Sequence, residues 1–239
     1  MDDSVSWSER KAIEAVFSQL DRELWVVTAA HAQRQSGLVA TWVSPASIDP
    51  QRPMLLLALA PNHFTSQLVL ESGWLAAHLL RADQVELAWN FARDSGRSRD
   101  KLAGLARVEV GCPAPVLADC LGWLVGRVVA WCDLCDRWLI WCDVVQAGGM
   151  AARGMPGVSA AAHTATGDAA GPLREQAFFR QLDPARRQHL ARRRMADVWA
   201  LRPRAVAWRR HLATGKLPGP QPWRNVSSSL LHGGETELQ

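Results

Sequence analysis

Apolar positions fall into short runs divided by Gly, Pro and polar clusters, and their spacing alternates between helical and strand-like. Residues 8–20 open with a helical period. Ser8 is an N-cap candidate, Glu9 lies in the first turn, and Ala12, Ile13, Val16, Phe17 and Leu20 recur at helical spacing. Strand-like runs follow at residues 24–30 and 38–43, with a polar turn over 31–37 between them and Pro45 and Pro50 in the loop beyond. Residues 54–60, MLLLALA, are continuously apolar, as in a strand covered on both faces.

A short helix is expected over residues 65–71, with Asn62 or Thr65 near its cap and Gly73 just past its end. A strand over 74–80, a helix over 82–92 and a strand near 105–110 come next. Residues 121–132 and 137–145 read as the arms of a hairpin that turns within 133–136. The run 146–171 is almost wholly Ala, Gly, Ser, Thr and Pro and reads as a linker. Helix returns at Leu173, Asp183-Pro184 caps a further one, and Pro203 is expected to break it and start a last. Residues 214–239 read as a frayed tail. The expected architecture is mainly β, an antiparallel unit of six or seven strands with small flanking helices and a C-terminal helical extension. Its expected divisions are a β domain over 1–150, a linker over 151–171, a basic helical extension over 172–214 and a tail over 215–239.

Composition narrows the class. Apolar residues make up 48% of the 239 and charged residues 21%, too apolar for a disordered chain. No apolar run reaches the length of a membrane helix, so no membrane partner is expected. The opening MDDSVSWSERK is acidic and polar where a signal peptide is basic and then apolar. Five cysteines are too few and too scattered for a secreted disulfide framework, so a cytoplasmic location is expected. The net charge of +4 divides unevenly. Residues 1–171 carry 14 Lys+Arg against 18 Asp+Glu (−4), and residues 172–239 carry 13 against 5 (+8).

Two stretches carry candidate chemistry. In residues 37–50, GLVATWVSPASIDP, a strand runs into a loop with backbone amides and the hydroxyls of Thr41, Ser44 and Ser47, suited to a flat polar heterocycle, while Trp42 supplies apolar area. In residues 60–66, APNHFTS, a strand ends and a helix begins at Thr65-Ser66. Such a helix start is an anion site, with phosphate the usual occupant, although hydroxyls there also serve simply as caps.

Taken in order with SGWLAAHLL, the RDK triplet at 99–101 and CDRWLIWCDVV, these stretches resemble the flavin reductase-like, FMN-binding split-barrel family over roughly residues 20–145. The resemblance implies an antiparallel split β-barrel and a bound flavin, FMN or FAD. It implies Ala40, Thr41, Trp42, Val43 and Ser44 at the ring and ribityl chain, Ser47, Thr65 and Ser66 at the phosphate, and Lys101 as a charge near flavin or phosphate. It further implies hydride transfer from NAD(P)H to the flavin, a homodimer, and an oxygenase or electron acceptor that takes the reduced flavin. One departure stands out. The family's Gly-Asp-His at the start of the last barrel strand reads Cys135-Asp136-Arg137 here. Arg137 cannot donate a proton at neutral pH, yet its guanidinium can stabilise reduced flavin or hold a phosphate. The alternatives are a solvated Arg137, and a flavin carrier or electron-transfer protein without reductase turnover.

Cys132 and Cys135 form a CxxC in the expected hairpin turn, without the second ligand pair a structural zinc needs and away from a helix N-terminus, so no metal is expected. Arg186, Arg187, Arg192, Arg193 and Arg194 share a helix with Leu190, Met195, Val198 and Trp199. A nucleic-acid helix and an amphipathic helix packed on the acidic body both fit that pattern, and the opposed charges favour the second.

Overall fold

A computed structural model describes residues 5–149, 171–215 and 219–223. Seven strands form a continuous antiparallel sheet in the order β2-β1-β5-β8-β9-β4-β3. They are β1 (Trp25–His31), β2 (Arg34–Ala40), β3 (Val43–Pro45), β4 (Met54–Leu59), β5 (Trp74–Leu79), β8 (Gly122–Leu134) and β9 (Arg137–Gly148). A short β6 (Arg107–Val108) pairs with β7 (Val116–Leu117) apart from it. The helices are α1 (Trp7–Phe17), α2 (Phe64–Ser72), α3 (Val85–Ala92), α4 (Glu175–Gln181) and α5 (Pro184–Leu212). This is the expected mainly β architecture, a half-barrel with flanking helices.

Alternation along β1 builds two cores. Val27 and Ala29 point into a cluster with Leu57, Leu75, Val128 and Ile140, the barrel interior. Val26, one residue over, points to the opposite face and joins Leu80, Phe91, Leu102, Leu173 and Phe178 beneath α3 and α4. Gly37 of β2 is required here, because a Cβ would lie 2.5 Å from the Phe91 ring. His78 of β5 ties three strands together. Its Nδ1 donates to the Val26 carbonyl at 2.8 Å, and its Nε2 accepts the Leu117 N–H at 2.9 Å.

Several expectations change. β4 is not covered on both faces: Leu55, Leu57 and Leu59 are buried while Met54, Leu56 and Ala58 are part-exposed. An unbroken apolar run therefore did not mean two-sided burial. The polar stretch 31–37 is mostly strand, since pairing with β1 overrides its composition and leaves only Ala32 and Gln33 in the turn. The first helix is capped by Ser6, whose Oγ accepts the Glu9 N–H while the Glu9 carboxylate accepts the Ser6 N–H. Likewise α2 begins at Phe64 behind His63, so Thr65 and Ser66 lie inside its first turn.

The hairpin turn is just Cys135-Asp136, with Leu134 opposite Arg137 and Cys135 at φ +55°. Beyond the β unit, Asp183 caps α5 as expected, accepting the Arg186 N–H. The helix then runs through Pro203 without a break. Proline removes one donor there, and the surrounding turns hold the helical path. The expected frayed tail is partly ordered as well. Gln221–Pro222 (β10) pairs with β8 beside β5, and the Trp223 indole donates to the Leu70 carbonyl at 2.8 Å. Its ring covers Gly73, the C-cap of α2, whose φ of +73° and close approach to Trp223 both exclude a side chain. The Ala/Gly-rich stretch 151–170 lies outside the described residues.

Candidate functional site

β2 is an edge strand of the sheet, and α5, about 43 Å long by helical rise, runs beside it. Two cavities lie along this edge and share Val39 and Ala92 as wall. The first, about 330 Å³, is bounded by Gly37, the turn into α2 at Asn62, His63 and Thr65, the loop after α3 with Arg97 and Lys101, and Arg193 and Asp197 of α5. The second, about 320 Å³, lies between Leu24, Val39 and Thr41 on the body and Phe178, Phe179, Arg187, Leu190 and Arg194 on α4 and α5.

The residues expected to act together occupy three settings. Thr65 and Lys101 border the first cavity, and Thr41 borders the second. The Thr65 hydroxyl donates to Ser36 Oγ at 2.9 Å. Lys101 Nζ donates to the Gly37 and Phe91 carbonyls at 3.0 and 2.8 Å, which clamps β2 to the end of α3. Burial, helped by the charge of Arg99, pushes the Lys101 ammonium down to about 8.

Trp42 and Arg137 form the second setting. The guanidinium carbon lies 5.3 Å from the centre of the Trp42 ring, and Arg137 also pairs with the Asp136 carboxylate at 2.9 Å. Arg137 is therefore not a freely solvated hairpin residue.

The remaining residues border neither cavity. Ala40 is buried in the barrel interior, and Val43 packs against the same cluster. Ser44 Oγ donates to the Pro45 carbonyl, and Ser47 Oγ accepts the Asp49 N–H in the loop before β4. Ser66 is fully buried, with no partner for its hydroxyl among the described residues.

Sequence pattern did not point to Asp197. It comes from α5, yet it accepts hydrogen bonds from Asn62 Nδ2 at 2.8 Å and His63 Nε2 at 3.0 Å. Burial raises its carboxyl pKa, but the His63 contact, the Asn62 amide and the nearby Arg193 outweigh that and hold it below the usual value. Arg97 was also missed. It lies over the Phe64 ring at 5.0 Å and donates to Gln67 Oε1 at 2.5 Å. The opposed charges of body and extension were the only hint of such contacts.

The α5 part of the extension meets the body mainly through polar groups. Arg186 pairs with Glu86 and Arg204 with Asp133, both at 2.5 Å, and His189 Nε2 donates to the Arg93 carbonyl at 2.6 Å. The apolar stripe expected to pack on the barrel does so only in part. Leu190 joins the core beneath α4, while Met195, Val198 and Trp199 stay exposed.

None of the cysteines is in a disulfide. Burial pushes the Cys132 thiol up and the Cys120 thiol up to about 12, so neither is activated. Among the described residues no cluster of His, Cys, Asp and Glu could hold a metal, and no helix is long and apolar enough to cross a membrane.

The fold has solved relatives. The NADH:FAD oxidoreductase of Streptomyces globisporus superposes with a TM-score of 0.53 at 20% identity, over 62% of this chain and 86% of that one. The flavin reductase domain protein of Arthrobacter sp. FB24 gives 0.54 at 19% identity, over 69% and 89%. At such identities the likeness is one of fold. Among curated proteins, diflavin flavoprotein A 1 of Synechocystis sp. is 22% identical over 147 residues, 61% of this chain and 25% of that protein. An uncharacterised protein of Aeropyrum pernix is 38% identical over 100 residues, 39% of this chain and 36% of its own. The chain thus spans about a quarter of the length of the diflavin proteins it matches. The family model of the flavin reductase like domain matches residues 17–158, more than half of the sequence, and the chain belongs to that family.

Proposed function

We propose that this protein is an NAD(P)H-dependent flavin reductase that binds FMN, or FAD, along the β2 edge. The observation that carries the reading is the placement of Thr41, Thr65 and Lys101 on two adjoining cavities, in a chain of the flavin reductase-like family. The volumes and mixed lining suit a nucleotide-like ligand. Unpaired N–H groups of the first turn of α2, with Arg97 beside them, would hold a phosphate. Thr41 and the backbone beyond β2 would lie along the ring and ribityl chain. Lys101 would act chiefly by fixing the strand edge, since both carbonyls it binds belong to the wall of the first cavity or to the helix behind it.

Bound flavin supplies the capacity to accept a hydride. The chain's part is positioning and charge. Arg137, over the Trp42 ring, keeps a permanent positive charge at the hairpin tip, where it can offset negative charge gained on reduction. It cannot serve as a proton donor. That one substitution sustains a second reading, a flavin carrier or electron-transfer protein without turnover.

A homodimer fits the part-exposed Leu56 and Ala58 of β4 and the exposed Trp7, Val16 and Phe17 of α1. An oxygenase or electron acceptor would consume the reduced flavin, and a reducing cytoplasm suits cysteines without disulfides. Nucleic acid is a poorer partner for α5, since Arg186 and Arg204 pair with carboxylates of the body.

Titration with FMN and with riboflavin, followed by flavin fluorescence, tests the site. Quenching by both, with tighter binding of FMN, is expected, and indifference to both flavins would sink the two readings. Loss of NADH or NADPH absorbance on addition of flavin then separates reductase from carrier.

A further inference from the structure

Beyond Thr41, the one lining residue given to the flavin ring, the second cavity has a chemical character that flavin binding does not use. Its floor is apolar, built by Phe178 of α4, Leu190 of α5 and Val39 of β2. Arg187 and Arg194 stand at its rim on the same face of α5, seven residues and so about 10 Å apart along the axis. Both are exposed, and neither makes an ion pair with a carboxylate among the described residues, although Arg186 and Arg204 of the same helix do. Glu175 also lines the cavity, but it faces Arg22 at 3.9 Å, so the rim stays cationic.

Two separated guanidinium groups over an apolar floor call for a ligand with two separated anionic groups and a flat apolar body. Guanidinium groups bind phosphate through paired hydrogen bonds, and their planes also stack on aromatic rings. A single carboxylate would engage only one of them. The cavity shares Thr41 with the ring loop and Val39 and Ala92 with the first cavity, so a ligand lying here reaches toward the flavin edge.

We infer that the cavity between β2 and the α4–α5 extension takes the adenosine 2′,5′-bisphosphate half of NADPH, with Arg187 and Arg194 selecting NADPH over NADH. The inference rests on the flavin reductase reading for the role of that dinucleotide as hydride donor. The adenine lies on Phe178 and Leu190, and each arginine takes one phosphate. The helical extension thereby becomes a specificity element.

Calorimetric titration of the full chain with adenosine 2′,5′-bisphosphate and with 5′-AMP tests this, and FMN binding to the same samples is measured by fluorescence. The bisphosphate is expected to bind at least roughly tenfold more tightly than 5′-AMP, and Arg187→Gln or Arg194→Gln to remove about tenfold of its affinity, the loss of one charged phosphate contact. Both positions are exposed, so folding is preserved, which circular dichroism checks. Arg192→Gln, an exposed residue that borders neither cavity, should change nothing. Equal affinity for the two nucleotides, an equal loss in Arg192→Gln, or tighter binding of benzoate than of the bisphosphate would overturn the inference. Those results alongside normal FMN binding leave the flavin reading standing. Bisphosphate binding without FMN binding supports the cavity and removes the flavin reading.

Discussion

The barrel interior and α5 are held by different forces. Leu57, Leu75, Val128 and Ile140 are fully buried and meet across neighbouring paired strands of the sheet. In α5, a helix of 29 residues, only Leu201 is buried, and apart from Leu190 at the core beneath α4 its contacts with the body are chiefly ion pairs and polar hydrogen bonds. Apolar burial is nearly indifferent to salt, whereas contacts between partly exposed charges weaken as ionic strength rises. The interior therefore sets global stability, and α5 is free to respond to solvent.

The largest expected effect lies on the interior side. Leu57→Ala should lower unfolding free energy by about 3 kcal/mol in urea denaturation, from lost burial plus a cavity. A loss under about 1 kcal/mol would mean the interior is no better packed than α5. Acid should act on the same buried sheet, at the face opposite the barrel interior. Burial lowers the His78 pKa to about 4 from an ordinary 6.5, against a smaller opposing effect of its bond to the Val26 carbonyl. The unfolded chain then binds the extra proton between those values. Stability is fully present above pH 6.5 and is lost as pH falls toward 4, by about 3 kcal/mol. Urea curves at pH 7 and pH 4.5 measure it, and a flat profile would remove His78 from the account.

Between the two regions sits the hairpin tip, near Asp133 where α5 docks. Cys135 holds φ +55°, a conformation glycine adopts without strain, so Cys135→Gly should raise stability by about 1 kcal/mol, read as a higher melting temperature. Smaller effects belong to α5. Moving from low to high salt should speed proteolysis within α5 by roughly a few-fold while the sheet stays protected, and equal protection of both would erase the contrast. Last, Asp197→Asn removes a negative charge from the turn at His63 and should tighten FMN binding by roughly two- to fivefold, with little change for riboflavin. Equal gains for both flavins would argue that Asp197 does not face the phosphate.

What the sequence revealed follows the same division. Local signals located the strands closely: period-two runs, the Gly73 stop and the Asp183-Pro184 cap all lie where the structure has them. Local signals failed where tertiary pairing decides. The polar residues Arg34, Gln35 and Ser36 are strand because β1 pairs with them, and Gln221–Pro222 is ordered because β8 offers it an edge. Of the candidate residues, Thr65 and Lys101 border one cavity and Thr41 the adjoining one, but Ser44 and Ser47 border neither, because Ser44 lies in β3 against β4 and Ser47 in the loop beyond, each with its own local hydrogen bond. Asp197 could not be read at all, since nothing near it in the chain signals Asn62 and His63.

The return of Gln221–Pro222 to β8 bears on how α5 can move. Before the helix, Leu173 exchanges backbone bonds with Leu24 and Leu80 and sits in the core; after it, Trp223 is anchored over Gly73. The helix is thus a span moored at both ends. When its ion pairs part it does not diffuse away, and its effective concentration at the groove stays on the order of millimolar. Reseating is then a unimolecular event that needs no encounter, so even weak charge pairs suffice to keep the span in place.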